Sequence, residues 1–153
     1  MWRPRMNSNV KLGSEKGTTI VETAMMLPIL VLLIFGIIEF SLIMYDKAMI
    51  TNASREACRY GIVFHADVDG NYTPLTDAEI TARANAYLQT FLISFRAGGV
   101  NAVTTVTPDY ATRQAGGSGT PMTVTVLYEY DNLVLPQIGD SLTLGAETVM
   151  RME

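Results

Sequence analysis

The sequence contains one cysteine, Cys58, and one histidine, His65, among its 153 residues. A lone cysteine excludes a disulfide framework within the chain, and two soft ligands are too few for a zinc ribbon. The motifs GxxxxGKS, GxxxxGKT, HExxH, GxSxG and GxGxxG are missing too, so the common signatures of nucleotide sites and hydrolases are absent. We therefore predict that the protein is not an enzyme and has no catalytic residues, metal site or cofactor. Cys58 is interpreted as a small packing residue.

Positive charge is also scarce, because eleven lysines and arginines face fifteen aspartates and glutamates and leave a formal net charge of -4. This sign argues against a nucleic acid as partner. Asp67, Asp69 and Asn71 resemble the start of a calcium loop. A twelve-residue loop from either aspartate would end on Ala78 or Ile80 instead of a glutamate, so calcium binding is not predicted.

A long apolar stretch dominates the N-terminal part of the chain. Residues 24–38 carry no charge, and the stretch continues through Glu39 to Tyr45, long enough to cross a hydrocarbon core of about 30 Å. Residues 1–17 carry four basic side chains and one acidic side chain, a bias that places the N-terminus in the cytoplasm. No small-residue cleavage pattern follows the stretch. We expect a retained single-pass anchor and an extracytoplasmic C-terminal part.

The segment after the apolar stretch contains no proline up to Phe64 and predicts more helix. Ala53, Ala57, Gly61 and Phe64 recur at spacings of four, four and three, which places small residues on one face for close packing. An unbroken helix from residue 18 to 62 would be about 67 Å long. Pro28 would bend this helix, either as a tolerated kink or as a point of functional flexing.

The remaining sequence first predicts a second helix. Residues 76–79 form a Thr-x-x-Glu capping box, which is typical of a helix start. The helix is expected to end near the pair Gly98 and Gly99. Its predicted core stripe consists of Ile80, Ala84, Leu88, Phe91 and Phe95.

Three strands are predicted to follow, and the fold class is therefore α+β. The strands cover residues 100–107, 122–130 and 142–152, and the second has the clearest alternation of apolar and polar side chains. Residues 114–121 are interpreted as a glycine-rich loop between the first two strands. Short connections favour a three-stranded antiparallel sheet that packs one face against the second helix and the upper part of the first.

The start of the apolar stretch resembles a prepilin-peptidase site. Residues 16–22 read KGTTIVE, with a glycine at the cut and Glu22 as the fifth residue after it. Cleavage between Gly17 and Thr18 would remove the basic leader and keep the anchor, and glycine would allow an extended backbone there. Glu22 is also explained by attraction to the positive end of its own helix.

The stretch GTTIVETAMMLPILVLLIFGIIEF, followed by NASREACRYGIVF, resembles the TadE-like family of minor pseudopilins from tight-adherence (type IVc) pilus systems. Glu22, Pro28, Gly36, Glu39 and residues 53–59 sit where that family's pattern places them, and the closing LTLGAETVMRME is similar to its last strand. The middle of the chain has no specific match. Thr rather than Tyr follows Glu22, and the chain is far longer than the small major pilins, which favours a minor pilin.

The resemblance implies a pilin-like structural subunit in three parts: a removable leader (1–17), a transmembrane and stalk helix (18–64) and an extracytoplasmic domain (65–153). Its implied partners are prepilin peptidase, other pilin and minor pilin subunits, the inner-membrane assembly machinery and the lipid bilayer, and its implied role is adhesion. Glu22 would serve assembly, whereas Pro28, Gly36 and Glu39 would serve helix packing or bending.

Two alternatives stay open from the sequence. In the alternative function, the chain is an unprocessed, membrane-anchored binding domain. Its tyrosine-rich strand and the loop around Gly116 and Gly117 would contact a ligand. The binding domain would keep residues 1–17, whereas the pilin would lose them, so the presence of the leader distinguishes the two functions. Glu39, inside the apolar stretch, is costly in lipid, and either stays hydrated near the outer surface or contacts a neighbouring subunit.

Overall fold

The computed structural model describes residues 14–66, 70–95, 99–131 and 141–153. Within these ranges the chain forms three helices and five strands, and the predicted α+β class is confirmed. The elements in chain order are α1 (Ser14–Gly61), β1 (His65–Ala66), β2 (Tyr72–Thr73), α2 (Asp77–Phe91), β3 (Ala102–Thr107), α3 (Tyr110–Gly116), β4 (Pro121–Tyr130) and β5 (Leu142–Arg151).

The chain divides into two compact units, Met1–Ile38 and Glu39–Glu153. The described part of the first unit is the N-terminal portion of α1. The second unit, called the globular unit below, contains the rest of α1 together with α2, α3 and all five strands. Its hydrophobic core draws on α1, α2 and one face of the larger sheet.

The small-residue face of α1 packs as its spacing predicts. Ala53, Ala57 and Gly61 are buried in the core. A Cβ atom at Gly61 would lie 2.7 Å from both Ile80 Cδ1 and Met122 Cε, closer than carbon atoms approach without displacement. Glycine therefore lets α1, α2 and β4 meet at this point.

Helix α2 begins at the predicted capping box. The Thr76 hydroxyl accepts a hydrogen bond from the Glu79 amide at 3.3 Å, and the Glu79 carboxylate accepts one from the Thr76 amide at 2.8 Å. These two bonds satisfy amides that the first helical turn leaves unpaired. The predicted core positions Ile80, Ala84 and Leu88 are buried.

The predicted end of the α2 stripe is wrong. Phe91 is 46% exposed and Phe95 is 52% exposed. The helix ends at Phe91, well before the predicted Gly98-Gly99 end, and Leu92 follows in an extended conformation with its side chain in the core. Because the helical period stops at Leu92, the spacing that placed Phe95 on the stripe no longer applies.

Strands β3, β4 and β5 form the predicted antiparallel sheet in the order β3-β4-β5. Val126 in β4 lies opposite Thr104 in β3 and Ala146 in β5. The predicted alternation of β4 is confirmed, since every second side chain from Met122 to Tyr130 is buried. On β5, Leu144 is buried, whereas Leu142, at the first position of the strand, is exposed.

Two features were not predicted: the short hairpin of β1 and β2, and helix α3, which includes residues 114–116 of the predicted loop. Asp109 caps α3 by accepting a hydrogen bond from the Thr112 amide at 3.2 Å. The helix orients Arg113, which is fully buried, donates to the Pro108 carbonyl oxygen at 3.1 Å and forms an ion pair with Asp77. The buried guanidinium thus links α3 to the start of α2.

Candidate assembly site

The N-terminal part of α1 exposes nearly all of its apolar side chains. Between Ile20 and Ile38 every large hydrophobic residue is exposed, and within the described chain this helix alone is long and apolar enough to cross a membrane. A core helix of a soluble domain would be mostly buried. This run is therefore a surface for lipid or for other chains.

Gly17 and Thr18, the predicted cleavage residues, both lie in the first turns of α1. Gly17 is exposed, and a Cβ atom there would meet no atom within 4 Å. The backbone at Gly17 is therefore helical in this structure and not extended as expected for the cut. A protease would have to unwind the end of the helix, which glycine eases, since it favours a helix by about 0.5 to 1 kcal/mol less than alanine.

Glu22 is exposed on the same helix and forms no hydrogen bond or ion pair with another side chain in the described ranges. The neighbouring Thr23 hydroxyl donates to the Thr19 carbonyl oxygen at 2.9 Å, a local bond within the helix. The carboxylate of Glu22 is thus available to a group outside this chain.

Pro28 lies inside α1 without ending it. Because proline has no amide hydrogen, the Ala24 carbonyl loses its usual helical donor, and the helix is locally weaker there. Gly36, two turns further, is exposed, and nothing lies within 4 Å of the position of its missing Cβ atom. Neither residue is used for packing within the described chain.

Glu39 is only 7% exposed and belongs to the globular unit. It neighbours the buried hydroxyl of Tyr130 at the end of β4. Burial and then the Glu39 carboxylate raise the pKa of Tyr130 above its ordinary range. In this structure Glu39 is therefore buried within its own chain beside Tyr130.

Asp46 lies seven residues after Glu39 on α1, about two helical turns, and is fully buried. It was not singled out from the sequence. Its Oδ1 accepts a hydrogen bond from the Ile93 amide at 3.2 Å, whereas its Oδ2 has no hydrogen-bond partner among the described residues. Burial raises the pKa of this carboxyl, and the Ile93 amide lowers it by less. The spacing of seven residues places Glu39 and Asp46 on the same face of a helix, and this was the sequence signal that could have identified Asp46.

Cys58 is fully buried, and its thiol donates to the Met122 carbonyl oxygen at 3.6 Å. Burial raises the pKa of the thiol to about 11. Because the thiolate is the reactive form, a thiol with this pKa is inert near neutral pH. Cys58 is the packing residue that its isolation predicts.

The residues predicted to contact a ligand in the alternative binding domain include side chains that are not exposed. Tyr128 and Tyr130 of the tyrosine-rich strand are buried, and Gly116 is the last residue of α3 instead of part of a loop. In the described ranges no three histidine, cysteine, aspartate or glutamate side chains are grouped to hold a metal ion.

A shallow cleft lies elsewhere on the globular unit, between α1 and α2. Glu56 pairs with Arg83 at 2.7 Å and with Arg59 at 3.1 Å, and the Arg83 guanidinium lies 5.6 Å from the centroid of the Tyr60 ring. The hydrogen bond from Arg83 is the main cause that lowers the pKa of Glu56. These contacts join the two helices, and since the arginines already have a carboxylate partner the cleft does not present a free cationic site.

The comparison with known families bears on the exposed helix. The model of the family described as TadE-like protein matches residues 17–59. The predicted resemblance to the TadE-like family is thereby confirmed. The match begins at the predicted cleavage glycine, and it covers less than a third of the chain. No curated protein and no solved structure matches this chain significantly.

The TadE-like segment contains every residue predicted for processing, assembly or helix packing, from Gly17 to Glu39, and continues to Arg59 in the globular unit. It thus combines the exposed apolar run with the buried small-residue face of α1. The match relates residues 17–59 to TadE-like proteins.

Proposed function

We propose that this protein is a minor pilin, or pseudopilin, of a Tad-type (type IVc) pilus. It is made with a leader that prepilin peptidase removes after Gly17, and α1 then anchors it in the inner membrane with the globular unit on the outer side. The assembly machinery transfers it into a filament that serves adhesion. The observation that carries the proposal is the exposed apolar run of α1, which lies inside the TadE-like segment.

The exposed run supports both a membrane state and an assembled state. Its side chains need an apolar environment, which lipid tails supply before assembly and neighbouring helices supply afterwards. Gly36 offers a flat place on the helix surface, and small residues let helix backbones approach closely within a bilayer. Pro28 weakens one turn, so the helix can adjust its path when lipid is exchanged for other subunits.

Cleavage changes the charges at the start of the helix. Removing residues 1–17 takes away four basic side chains and one acidic side chain and leaves a formal charge of -7. It also creates a new amino group on Thr18, four residues before Glu22. The exposed Glu22 carboxylate is then a partner for the Thr18 amino group of a neighbouring subunit, an attraction that strengthens in a low-dielectric helix bundle.

The test is the intact mass of the full-length gene product recovered from envelopes and from sheared pili. The expected mass is that of Thr18–Glu153, and Gly17→Leu should leave the leader attached. Gly13→Leu is the matched control, because it places the same side chain in the leader away from the cut, and it should be processed normally.

The same measurement separates the alternative function. An unprocessed, membrane-anchored binding domain keeps its leader, so surface-assembled material that begins at Met1 or Trp2 would overturn the pilin proposal. Normal maturation of Gly17→Leu would show that the cut lies elsewhere and that Gly17 does not have the role assigned to it.

A further inference from the structure

Basic side chains are unevenly distributed over the globular unit. Residues 39–153 carry seven basic and thirteen acidic side chains, so the unit as a whole is acidic. Three of the basic side chains are nevertheless exposed close together, because Arg55 and Arg59 lie one turn apart on α1 and Arg83 lies beside them on α2. Residues four apart on a helix share one face. An acidic unit therefore has one local surface with several positive charges.

A single carboxylate holds the arginines of the two helices side by side. Glu56 accepts from Arg59 at 3.1 Å and from Arg83 at 2.7 Å. Two guanidinium groups thus share one negative charge, and Arg55 adds a further positive charge next to them. The Arg59 and Arg83 side chains remain 74% and 51% exposed. These internal pairs occupy the cleft between the helices, but a guanidinium has five N–H donors, and the exposed rim keeps donors for a carboxylate of another molecule.

Aromatic rings continue this surface along α2. The Arg83 guanidinium lies 5.6 Å from the centroid of the Tyr60 ring. Arg83 also borders a second shallow cleft together with Tyr87 and Phe91, whose ring centroids are 4.7 Å apart. Tyr60 and Phe91 are exposed, and Tyr87 is half-buried. We call this group the arginine surface; its members are Arg55, Arg59, Tyr60, Arg83, Tyr87 and Phe91.

The three-stranded sheet has an exposed face on its other side. The even-numbered side chains of β4 pack in the core with α1 and α2, so the odd-numbered ones point away from the helices. The strand register places Val103, Leu127 and Gly145 in one row across this outer sheet face. Val103 is 59% exposed and Leu127 is 43% exposed. Leu127 Cδ2 lies 3.0 Å from the position of the missing Cβ atom of Gly145, so the glycine leaves room for the leucine beside β5.

Two exposed glutamates flank this apolar row on opposite sides. Glu129 follows the row on β4, and Glu147 follows it on β5, which runs in the other direction. The Asn101 amide donates to the Glu129 carboxylate at 2.9 Å and holds it in place. The basic residue of this face, Arg151, lies at its far end, and Lys47 of α1 donates to a carbonyl oxygen of β5. The centre of the outer sheet face is therefore apolar with an acidic border.

We propose that the arginine surface of one copy of this chain binds the outer sheet face of a second copy. The arginines would pair with Glu129 and Glu147, and the aromatic rings would cover the row of Val103 and Leu127. Complementary charges steer such an encounter and fix its register, whereas two acidic units repel each other in most other orientations. A second copy is the occupant because the same chain carries both complementary surfaces.

The position of the two surfaces determines the kind of assembly. The helices lie on one side of the sheet and the outer sheet face on the other, so one copy can use both surfaces at the same time. Such a contact is heterologous and repeats head to tail, which produces an open chain of subunits unless the rotation closes a ring. This inference goes beyond the proposed function and does not depend on cleavage of the leader.

Sedimentation velocity of the full chain in one detergent tests the proposal with charge reversals. The helix variant combines Arg55→Glu with Arg59→Glu and leaves Arg83, with its bond to Glu56, in place. The sheet variant combines Glu129→Lys with Glu147→Lys. All four positions are exposed, and unchanged thermal unfolding checks that each variant is folded. A chain with all four substitutions is the matched control, because it has the net charge of the wild type.

The wild type should associate at low salt, with a sedimentation coefficient that rises with concentration and falls when salt screens the charges. Each variant alone should associate at least about tenfold more weakly, because like charges would meet at the contact. An equimolar mixture of the two variants should recover the association, and so should the chain with all four substitutions.

Three results would overturn the inference. A wild type that stays a single chain at low salt has no such contact. Variants that associate as strongly as the wild type would assign the association to another surface, such as the apolar run of α1. A mixture that fails to recover would show that the two surfaces are not partners of each other. None of these results changes the mass expected for the mature chain, so the test is independent of the one for the proposed function.

Discussion

The amide of Ile93 donates a hydrogen bond to Oδ1 of Asp46 across 3.2 Å, and Oδ2 of the same buried carboxyl has no hydrogen-bond partner among the described residues. Asp46 thus positions the chain that leaves α2, but only one of its two carboxyl oxygens accepts a hydrogen bond. A buried polar atom without a partner costs free energy, and the cost is larger when the group is charged.

We predict that the pH dependence of stability contains a contribution from Asp46. Burial raises its pKa in the folded state, so the folded protein binds more protons than the unfolded chain between the ordinary pKa and the raised one. The free energy of unfolding should fall as pH increases through that window. Asp46→Asn keeps an oxygen for the Ile93 amide and removes the charge, and should be at least as stable as the wild type at neutral pH.

The measurement is denaturant unfolding of the full chain in one detergent at several pH values. Glu56, Glu79 and Asp109 have lowered pKa values and contribute with the opposite sign, so the difference between wild type and Asp46→Asn is the informative curve. A difference that does not change with pH would show that Asp46 has the same pKa in both states.

The core of α2 should depend on Leu88 and much less on Phe91. Leu88→Ala removes a buried side chain and should cost about 2 to 5 kcal/mol. Phe91 is half exposed, so Phe91→Ala should lose roughly half of the 1.5 to 3 kcal/mol typical of a fully buried side chain. Thermal unfolding of both variants in the same detergent compares them directly. Equal losses would place Phe91 in the core after all.

Gly61→Ala should destabilise the globular unit, whereas Gly36→Ala should not. Gly61→Ala places a Cβ atom 2.7 Å from the ends of two core side chains, and such overpacking costs about 1 to 3 kcal/mol. Gly36→Ala meets open space and should leave the unfolding of the globular unit unchanged. Its expected effect is reduced incorporation into pili, measured by the amount of the variant in sheared filaments relative to the membrane fraction.

Glu22→Gln should be inserted into the membrane and cleaved after Gly17, yet be poorly incorporated into the pilus. The substitution keeps the side-chain shape and removes the charge that would attract a neighbouring Thr18 amino group. If Glu22 only interacts with its own helix dipole, an effect of about 0.3 to 1 kcal/mol, incorporation should be nearly normal. Quantitative mass spectrometry of purified assemblies decides, and wild-type amounts would remove the charge-pair role.

The predictable parts of this fold are those where one physical rule acts alone. The capping box at Thr76 and Glu79 is local, and the alternation along β4 reflects a strand with one buried face. The end of α2 was mispredicted because a periodic pattern does not reveal where tertiary packing stops a helix. Helix α3 was missed because its short sequence has a cap at Asp109 but only one buried side chain, Arg113.

The surroundings of Glu39 could not be predicted for a different reason. Its burial depends on Tyr130, which is far away in sequence, so no local pattern reports it. The residues predicted for processing and assembly came from a resemblance over α1, and the structure adds that Glu22 and Gly36 are exposed whereas Glu39 is buried within its own chain.

Strand β4 accompanies α1 over a matched length: nineteen residues of helix separate Glu39 from Cys58, about 28 Å, and eight residues of strand separate Tyr130 from Met122, about 27 Å. Tyr130 neighbours Glu39 at one end and Met122 accepts from Cys58 at the other. Tension applied along the helix is therefore parallel to the strand and loads the contact between them in shear. In the filament subunit proposed above, these contacts would share such a load simultaneously, whereas a perpendicular pull would break them one after another.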